Sequence, residues 1–311
     1  LKAKKYKKTL KILKEAFIEN PKNEKIIDAL AKFNHILANN EEAYKYYKLL
    51  FEINPNQILS RPAFITLLNY YPFITQTEYL QQCKLYTDLI EKNLNDNFNF
   101  NKNHQKKIKL GFFSSDLKKH SVSKFLKDLI NNMNKEEFEI SAFSNLVVSN
   151  HDELSHELKK SFDHWYDILN YSDLDLINFI RKKDIDILVD LNGYTLGNRL
   201  NIFANRVASI QILWLGYCNS TGLKNMDYII SDENCIKDNE YHNYTEKIIS
   251  LPKIWNSMSN PSNLPAISEL PFLKRKIFTF GSFNNFQKIS SKTIEIWSKI
   301  LNKTNSRLVL K

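Results

Sequence analysis

Apolar and polar positions divide the chain into two kinds of region. The first 110 residues contain no glycine and read as helices, whereas all six glycines lie after residue 110 and bring turn chemistry with them. In the central part, apolar strand-like segments alternate with segments of helical spacing, which predicts a parallel sheet covered by helices. The predicted strands are 108–113, 138–143, 185–191, 210–216 and 226–231, and the helices predicted between them are 120–130 and 174–181.

The helical part contains an internal repeat. The segment EAFIENP at 15–21 returns as LLFEINP at 49–55, so that Phe, Asn and Pro recur after 34 residues. This is the tetratricopeptide period, and 41–55 is typical of the second helix of such a repeat. Because proline cannot donate a hydrogen bond to the preceding turn, each helix is expected to end before its proline. Stacked repeats of this kind form a concave surface that can hold an extended peptide.

Two polar segments mark the predicted domain boundaries. Asparagine at every second position over 93–103 has no helical period and predicts a linker, and four of the eight prolines fall within 252–271. We therefore predict tetratricopeptide-like helices and linker at 1–103, an α/β lobe at 104–260, and an inter-lobe linker with the start of a further lobe at 261–311. The first residue is Leu and the chain stops in an apolar run, so we interpret it as a fragment cut at both ends.

Composition restricts the class of protein. A hydrophobic content of 43% in 311 residues is sufficient for packed cores and argues against wholesale disorder. No apolar stretch approaches the ~20 residues of a membrane span, and no apolar core follows the lysine-rich N-terminus, so neither a membrane span nor a secretory signal is expected. The three scattered cysteines, Cys83, Cys218 and Cys235, favour neither a disulfide framework nor a zinc site, which indicates a cytoplasmic setting.

The net charge of +10 is uneven along the chain. Residues 1–110 carry 19 Lys and Arg against 11 Asp and Glu, and seven lysines fall within the first fourteen residues. A basic module can bind nucleic acid or an acidic surface. Since the lysines are neither interleaved with a series of aromatic residues nor accompanied by a nucleic-acid motif, a solvated helix face is the favoured interpretation, and nucleic-acid binding is the alternative.

Several motifs lie at the ends of predicted strands. Ligands of parallel sheets bind beyond the carboxyl ends of strands, so loops 114–120, 192–198 and 216–222 are expected to converge on one cleft. Together with the repeats, the motifs resemble the O-GlcNAc transferase/SPINDLY family. They are GFFSSD at 111–116 with His120, DLNGYT at 190–195, WLGY at 214–217 followed by MDYIISD at 226–232, and FTFGSFNN at 278–285 with Lys288.

The resemblance implies a GT-B glycosyltransferase, an α/β fold in which two Rossmann-like lobes face a cleft. It also implies a nucleotide-sugar donor, a protein Ser or Thr hydroxyl as the acceptor delivered along the repeats, transfer with inversion, and no cofactor or metal. By this resemblance the chain holds tetratricopeptide-like helices, the N-terminal lobe, and only the beginning of the C-terminal lobe.

Three residues are expected to carry the chemistry. A nucleoside diphosphate leaves with growing negative charge, so a pre-placed cation is needed, and Lys288 matches the catalytic lysine of the family. His120 can bond a donor sugar or acceptor hydroxyl and can exchange protons near neutral pH. Asp116, four residues earlier, can orient His120 or relay a proton. The competing interpretations are a surface lysine, a surface histidine and a helix-capping aspartate.

A second group of residues is expected to contact the donor. Asn285 matches a donor-contacting position of the family, because an amide can bond a phosphate or sugar oxygen, and Asn284 beside it is assigned the same role. Leu215 and Gly216 match backbone positions near the donor sugar, where close approach of the backbone requires glycine. The remaining candidates, Tyr194 and Thr195, are expected to line the same face.

The identity of the donor is left open between two nucleotide-sugars. UDP-GlcNAc is favoured by the breadth of the family. Where some members carry a histidine pair near the end of the repeats, this chain has Ser60-Arg61 and then Leu67-Leu-Asn-Tyr70, which is similar to the SPINDLY branch and its use of GDP-fucose. A non-catalytic scaffold that binds peptides through its repeats is the alternative from another class.

Overall fold

The computed structural model describes residues 2–92, 94, 100, 107–258 and 264–311. The helices are α1 (Lys2–Glu19), α2 (Glu24–Ile36), α3 (Asn40–Ile53), α4 (Arg61–Leu68), α5 (Gln76–Ile90), α6 (Ser121–Asn132), α7 (Glu153–Ser161), α8 (Asp173–Lys183), α9 (Leu200–Ala204), α10 (Pro271–Arg275) and α11 (Ser291–Thr304). The strands are β1 (Ile108–Ser114), β2 (Phe138–Ser144), β3 (His164–Asp167), β4 (Ile187–Asp190), β5 (Ile210–Leu213), β6 (Tyr228–Asp232), β7 (Lys247–Leu251), β8 (Thr279–Ser282) and β9 (Arg307–Leu310). These elements form two compact units: a repeat unit, Leu1–Thr75 with Pro261–Lys311, and a sheet unit, Gln76–Asn260.

The helices of the repeat unit end where the prolines require. Helix α1 ends two residues before Pro21, and α3 ends two residues before Pro55. Apolar residues of α2 and α3, including Ile27, Leu30 and Leu50, are completely buried where these helices pack together. Burial of one apolar stripe per helix provides most of the stability that such short helices lack in isolation.

The Ser60-Arg61 pair has a structural role in the repeat unit. The Ser60 hydroxyl donates a hydrogen bond to Asp28 Oδ1 at 2.7 Å, and the Arg61 guanidinium donates one to the carbonyl oxygen of Pro55 at 2.6 Å. The same guanidinium lies 4.4 Å from the centre of the Phe51 ring. These contacts hold the start of α4 against α2 and the end of α3. Packing within the repeat unit is therefore sufficient to explain why Ser60 and Arg61 occupy these positions.

The sheet unit contains the predicted parallel sheet with its helices. Its seven strands pair in parallel in the order β3-β2-β1-β4-β5-β6-β7. The five central strands coincide with the predicted ones, whereas β3 and β7 were not predicted. Both are short edge strands that are partly exposed, so they lack the continuous apolar run that marks a buried strand.

The order in which successive strands are added to the sheet reverses between β1 and β4. From β1 it proceeds to β2 and β3 on one side, and then returns to β4 and continues to β7 on the other. The loops after β1 and β4 therefore separate at a topological switch point, which is the usual ligand position in open α/β sheets.

Helix α5 belongs to the sheet unit, although the sequence prediction placed it with the repeats in 1–103. The hydroxyls of Tyr79 and Tyr217 are hydrogen-bonded at 2.6 Å, and the Tyr79 hydroxyl also reaches the carbonyl oxygen of Ser220. Cys83 is buried against Gly222. Nearly all of the predicted linker, 93–103, lies outside the described residues.

The repeat unit also contains a small β-α-β motif near the C-terminal end of the chain. Strands β8 and β9 pair in parallel, with α11 between them. Within the described residues, no helix combines the length and apolarity needed to cross a membrane.

Candidate active site

Three loops meet at the carboxyl edge of the central strands. The loop after β1 contacts the loop after β4 through Ser115 and Asn192. The loop after β5 packs on the loop after β4, since a Cβ on Gly216 would lie 1.7 Å from the carbonyl oxygen of Leu191. The three loops singled out from the sequence are thus brought together by the sheet.

A buried hydrogen-bonded cluster holds the first two loops together. It consists of Ser115, Asp116, Asn192 and Thr195, and we call it the Asn192 cluster. Asn192 Oδ1 accepts from the backbone N–H of Ser115 at 2.8 Å, and Asn192 Nδ2 lies 2.8 Å from Ser115 Oγ, 3.2 Å from Thr195 Oγ1 and 3.4 Å from Asp116 Oδ2. Because Asn192 and Ser115 are buried, the two bonds between them are shielded from water, and the partly buried Asp116 and Thr195 side chains contact the same amide.

Asp190 supports the turn that carries Asn192. Its carboxylate accepts from the backbone N–H groups of Asn192 at 3.0 Å and Gly193 at 2.9 Å. Burial at the end of β4 raises the pKa of Asp190 to about 7, and the two backbone hydrogen bonds oppose that rise. The turn is therefore coupled to the protonation state of a buried carboxyl group.

Asp116 and His120 are adjacent at the switch point. The distance between Asp116 Oδ2 and His120 Nδ1 is 3.9 Å, which is within ion-pair range but too long for a direct hydrogen bond. His120 is the N-cap of α6, where Nδ1 accepts from the backbone N–H of Val122 at 3.4 Å. Thus the capping residue of α6 is His120 rather than Asp116. The His120 side chain is 45% exposed, so a substrate can reach it.

Leu215 and Gly216 form a constrained turn after β5. Leu215 has a φ of 72°, a left-handed conformation that costs an L-residue roughly 1–2 kcal/mol, and its side chain is buried. Gly216 is required by the nearby carbonyl oxygen of Leu191, so packing within the chain already accounts for this glycine. Strained backbone of this kind is concentrated at functional sites.

Tyr194 and Thr195 have different environments. Tyr194 was expected to line the cleft, but its ring is only 1% exposed, packs against Tyr86 and Tyr217, and donates a hydrogen bond from its hydroxyl to the carbonyl oxygen of Thr221. It is a core residue because the turn after β4 directs it inward. Thr195 is half-buried and belongs to the Asn192 cluster.

The remaining candidate residues lie in the repeat unit. Asn284, Asn285 and Lys288 are exposed in the segment that follows β8. Asn285 caps a single 3₁₀ turn, Phe286–Lys288, by accepting from the backbone N–H of Gln287 at 3.2 Å. Lys288 is the last residue of this turn, and its backbone N–H bonds the carbonyl oxygen of Asn285 at 2.9 Å.

Sequence reasoning gave no role to Asn192, Ser115 or Asp190. Each lies inside a motif that the sequence singles out, and Asn192 and Asp190 belong to one Asp-Leu-Asn-Gly turn after a buried strand. A polar turn of this kind at the carboxyl end of a strand was the available signal. The described residues contain no group of three His, Cys, Asp or Glu side chains that could hold a metal ion.

Comparisons with known proteins agree with these motifs. The family model described as Glycosyl transferase family 41 matches residues 78–265. The chain is 33% identical over 205 residues to a rice protein named probable UDP-N-acetylglucosamine–peptide N-acetylglucosaminyltransferase SPINDLY, covering 65% of this chain and 22% of that protein. It is 28% identical over 215 residues to an Arabidopsis thaliana protein that has the same enzyme name and is designated SEC. That match covers 66% of this chain and 22% of the SEC protein. The chain thus spans less than a quarter of the length of these curated relatives.

The fold is shared with a solved glycosyltransferase. The structure of a mutant O-GlcNAc transferase from Thermobaculum terrenum matches with a TM-score of 0.88 and 24% identity, over 98% of this chain and 58% of that one. The resemblance of the motifs to the O-GlcNAc transferase/SPINDLY family is therefore confirmed, and the chain belongs to glycosyl transferase family 41.

Proposed function

We propose that the protein containing this chain is a protein O-glycosyltransferase that transfers N-acetylglucosamine from UDP-GlcNAc to Ser or Thr hydroxyls with inversion. The observation that carries the proposal is the pair Asp116 and His120 at the switch point of a family 41 sheet. The names of the related plant proteins support the donor and the peptide acceptor.

The proposed reaction is a single displacement at the anomeric carbon. The acceptor oxygen forms the new bond to that carbon, while the bond to the diphosphate oxygen breaks and its electron pair leaves with the nucleoside diphosphate. The proton of the acceptor hydroxyl passes to a base or to the leaving phosphate. Inversion follows because attack and departure occur on opposite faces of the sugar.

His120 is proposed to bond the acceptor hydroxyl or the donor sugar. Its Nδ1 accepts from Val122, so the neutral ring carries its proton on Nε2, which is then a donor to an incoming oxygen. Asp116 Oδ2 lies 3.9 Å from Nδ1, and Asp116 is proposed to orient the His120 ring. The Asn192 cluster keeps this carboxylate in place.

Lys288 is proposed to stabilise the diphosphate as its negative charge grows. An ammonium group placed before the reaction begins costs no reorganisation when the bond breaks, which makes this kind of stabilisation effective. Asn285 and Asn284, exposed in the same segment, are proposed to bond phosphate or sugar oxygens, and the backbone at Leu215 and Gly216 is proposed to contact the donor sugar. The repeats are proposed to hold the acceptor, and the setting to be cytoplasmic.

The test is transfer by the full-length protein to a protein acceptor, measured by mass spectrometry with UDP-GlcNAc and with GDP-fucose in parallel. We expect a HexNAc adduct and a loss of ~10²–10³ in kcat for Lys288→Ala. Lys292→Ala is the matched control, since Lys292 is an exposed lysine four residues further on, at the second position of α11, and it should retain activity. Transfer of fucose alone would show that the donor is GDP-fucose, and transfer of neither sugar would favour a non-catalytic scaffold that binds peptides.

A further inference from the structure

The turn that carries Lys288 is held by the helical repeat. Asn40 Nδ2, on the first residue of α3, donates a hydrogen bond to the carbonyl oxygen of Gln287 at 2.8 Å. In return, Gln287 Nε2 donates one to the carbonyl oxygen of His35, near the end of α2, at 3.0 Å. Residues about 250 positions apart in the sequence are therefore joined by two hydrogen bonds within one compact unit. We call this arrangement the Asn40 clasp.

The amide of Asn40 can be held in only one orientation. Its Oδ1 lies 2.9 Å from His35 Nδ1, while Nδ2 faces the carbonyl oxygens of Gln287 and, at 3.4 Å, Tyr70. Because carbonyl oxygens only accept, Nδ2 must be the donor to both, and His35 must donate from Nδ1. Burial lowers the pKa of His35, which favours the neutral ring. At 6% exposed, Asn40 has its donors and acceptor occupied by the protein.

The Lys288 turn has little packing of its own. Phe286 is 53% exposed, and Asn285 and Lys288 are exposed as well. The first turn of α3 makes a second contact just beyond the lysine, where the Ser291 hydroxyl donates to Glu41 Oε1 at 3.1 Å. Neighbouring residues of α3 thus hold the chain on both sides of Lys288. Fixing the backbone at these two points limits the positions that the ammonium group can reach.

We propose that Asn40 is a positioning residue for Lys288, through which the helical repeat sets the place of the ammonium group. The inference rests on the proposed function, in which Lys288 meets the charge of the leaving diphosphate. Misplacement of a catalytic group by ~1 Å can cost about 10²-fold in rate, so loosening this turn should lower kcat. The competing interpretation is that the clasp only docks the segment onto the repeats and stabilises the fold.

The first test compares Asn40→Ala with Asn54→Ala in the full-length protein. Asn54 caps the opposite end of α3 and hydrogen-bonds the Glu24 carboxylate at 3.0 and 3.1 Å, so its removal also costs the repeat a partly buried interaction between helices. We expect Asn40→Ala to lower kcat by about 10- to 100-fold with little change in KM for the nucleotide-sugar. Asn54→Ala should keep the wild-type kcat.

A double-mutant cycle separates positioning from general stability. If Asn40 acts through Lys288, Asn40→Ala has no further effect on the residual transfer of a Lys288→Ala protein. An equal loss of kcat in both backgrounds overturns the proposal, because the effect then does not pass through the lysine. Wild-type kcat in Asn40→Ala overturns it as well.

Amide hydrogen exchange tests the clasp without any substrate. The N–H groups of Lys288 and Ile289 close the turn by hydrogen bonds of 2.9 and 3.0 Å. Exchange at these two positions should accelerate in Asn40→Ala and stay unchanged in Asn54→Ala. If the wild-type protein transfers neither sugar, the proposed function is refuted, but the role of Asn40 in holding the Lys288 turn is still decided by exchange. Faster exchange at Lys288 and Ile289 in Asn40→Ala supports that role, and unchanged exchange refutes it.

Discussion

Asn192 and Ser115 exchange two hydrogen bonds of 2.8 Å, one through the backbone N–H of Ser115 and one through its hydroxyl. This pair joins the loops that follow β1 and β4, which separate at the point where the sheet reverses its order. Two loops that would otherwise diverge are thereby fixed against each other. The proposed roles of Asp116 and His120 depend on that rigidity.

Replacement of Asn192 should destabilise the sheet unit. Asn192→Ala leaves the buried N–H of Ser115 without its partner, which costs ~1–3 kcal/mol. It also removes the hydrogen bond that the Ser115 hydroxyl accepts, worth about 1 kcal/mol, while that hydroxyl still donates to the carbonyl oxygen of Leu196. We expect a loss of about 2–4 kcal/mol in the free energy of unfolding, measured by urea denaturation. Leu196→Ala is the control, because Leu196 is in the same loop but 95% exposed, and it should change stability by less than ~0.5 kcal/mol. Equal stability of the two variants would contradict the structural role of Asn192.

A methyl group at Gly216 should not be accommodated. In Gly216→Ala the new Cβ would lie 1.7 Å from the carbonyl oxygen of Leu191, a backbone atom that cannot rotate away. We expect destabilisation of about 3 kcal/mol or more, at or above the upper end of ordinary overpacking, observed as a lower thermal midpoint or as insoluble protein. In Gly281→Ala the corresponding Cβ would come no closer than 3.8 Å to Phe283, so near-wild-type stability is expected there. A soluble Gly216→Ala protein with an unchanged midpoint would show that the loop can move apart.

Asp190 should make stability depend on pH in a defined direction. Its pKa is raised from 3.8 to about 7 in the folded protein, so the folded state retains a proton that the unfolded state releases. The stabilising contribution is complete below about pH 4, declines as the pH rises, and levels off above about pH 7. Since each unit of pKa difference corresponds to ~1.4 kcal/mol, the decline amounts to at most about 4–5 kcal/mol.

Asp190→Asn is the variant that isolates this contribution. The free energy of unfolding is measured between pH 4 and pH 8 for wild type, Asp190→Asn and the exposed-site control Glu136→Gln. We expect the decline to be smaller in Asp190→Asn and unchanged in the control. The readout is the slope with pH, because the side-chain NH₂ of asparagine cannot accept, so Asp190→Asn also loses one of the two backbone hydrogen bonds at every pH. Identical slopes in wild type and Asp190→Asn would rule out a retained proton on Asp190.

Local patterns were sufficient to predict the central strands and the helix ends. Proline stops a helix through its own missing N–H, and a buried strand needs a continuous apolar run, so both signals act over a few residues. Edge strands β3 and β7 lack such a run, and they were missed for that reason. Tyr194 lies in a motif that was predicted to line a cleft, yet the turn buries its ring in the core.

The sequence by itself determined the alternation of strands and helices, the 34-residue repeat, and the motifs that identify the family. Only the tertiary structure decided which side chains meet. Asn192 reaches Ser115 across 77 positions, and Asn40 reaches Gln287 across 247. The physical reason is that periodicity reports which face of an element is buried, whereas a hydrogen bond between distant loops depends on strand order and packing. Those contacts exist only after the sheet and the repeat have assembled.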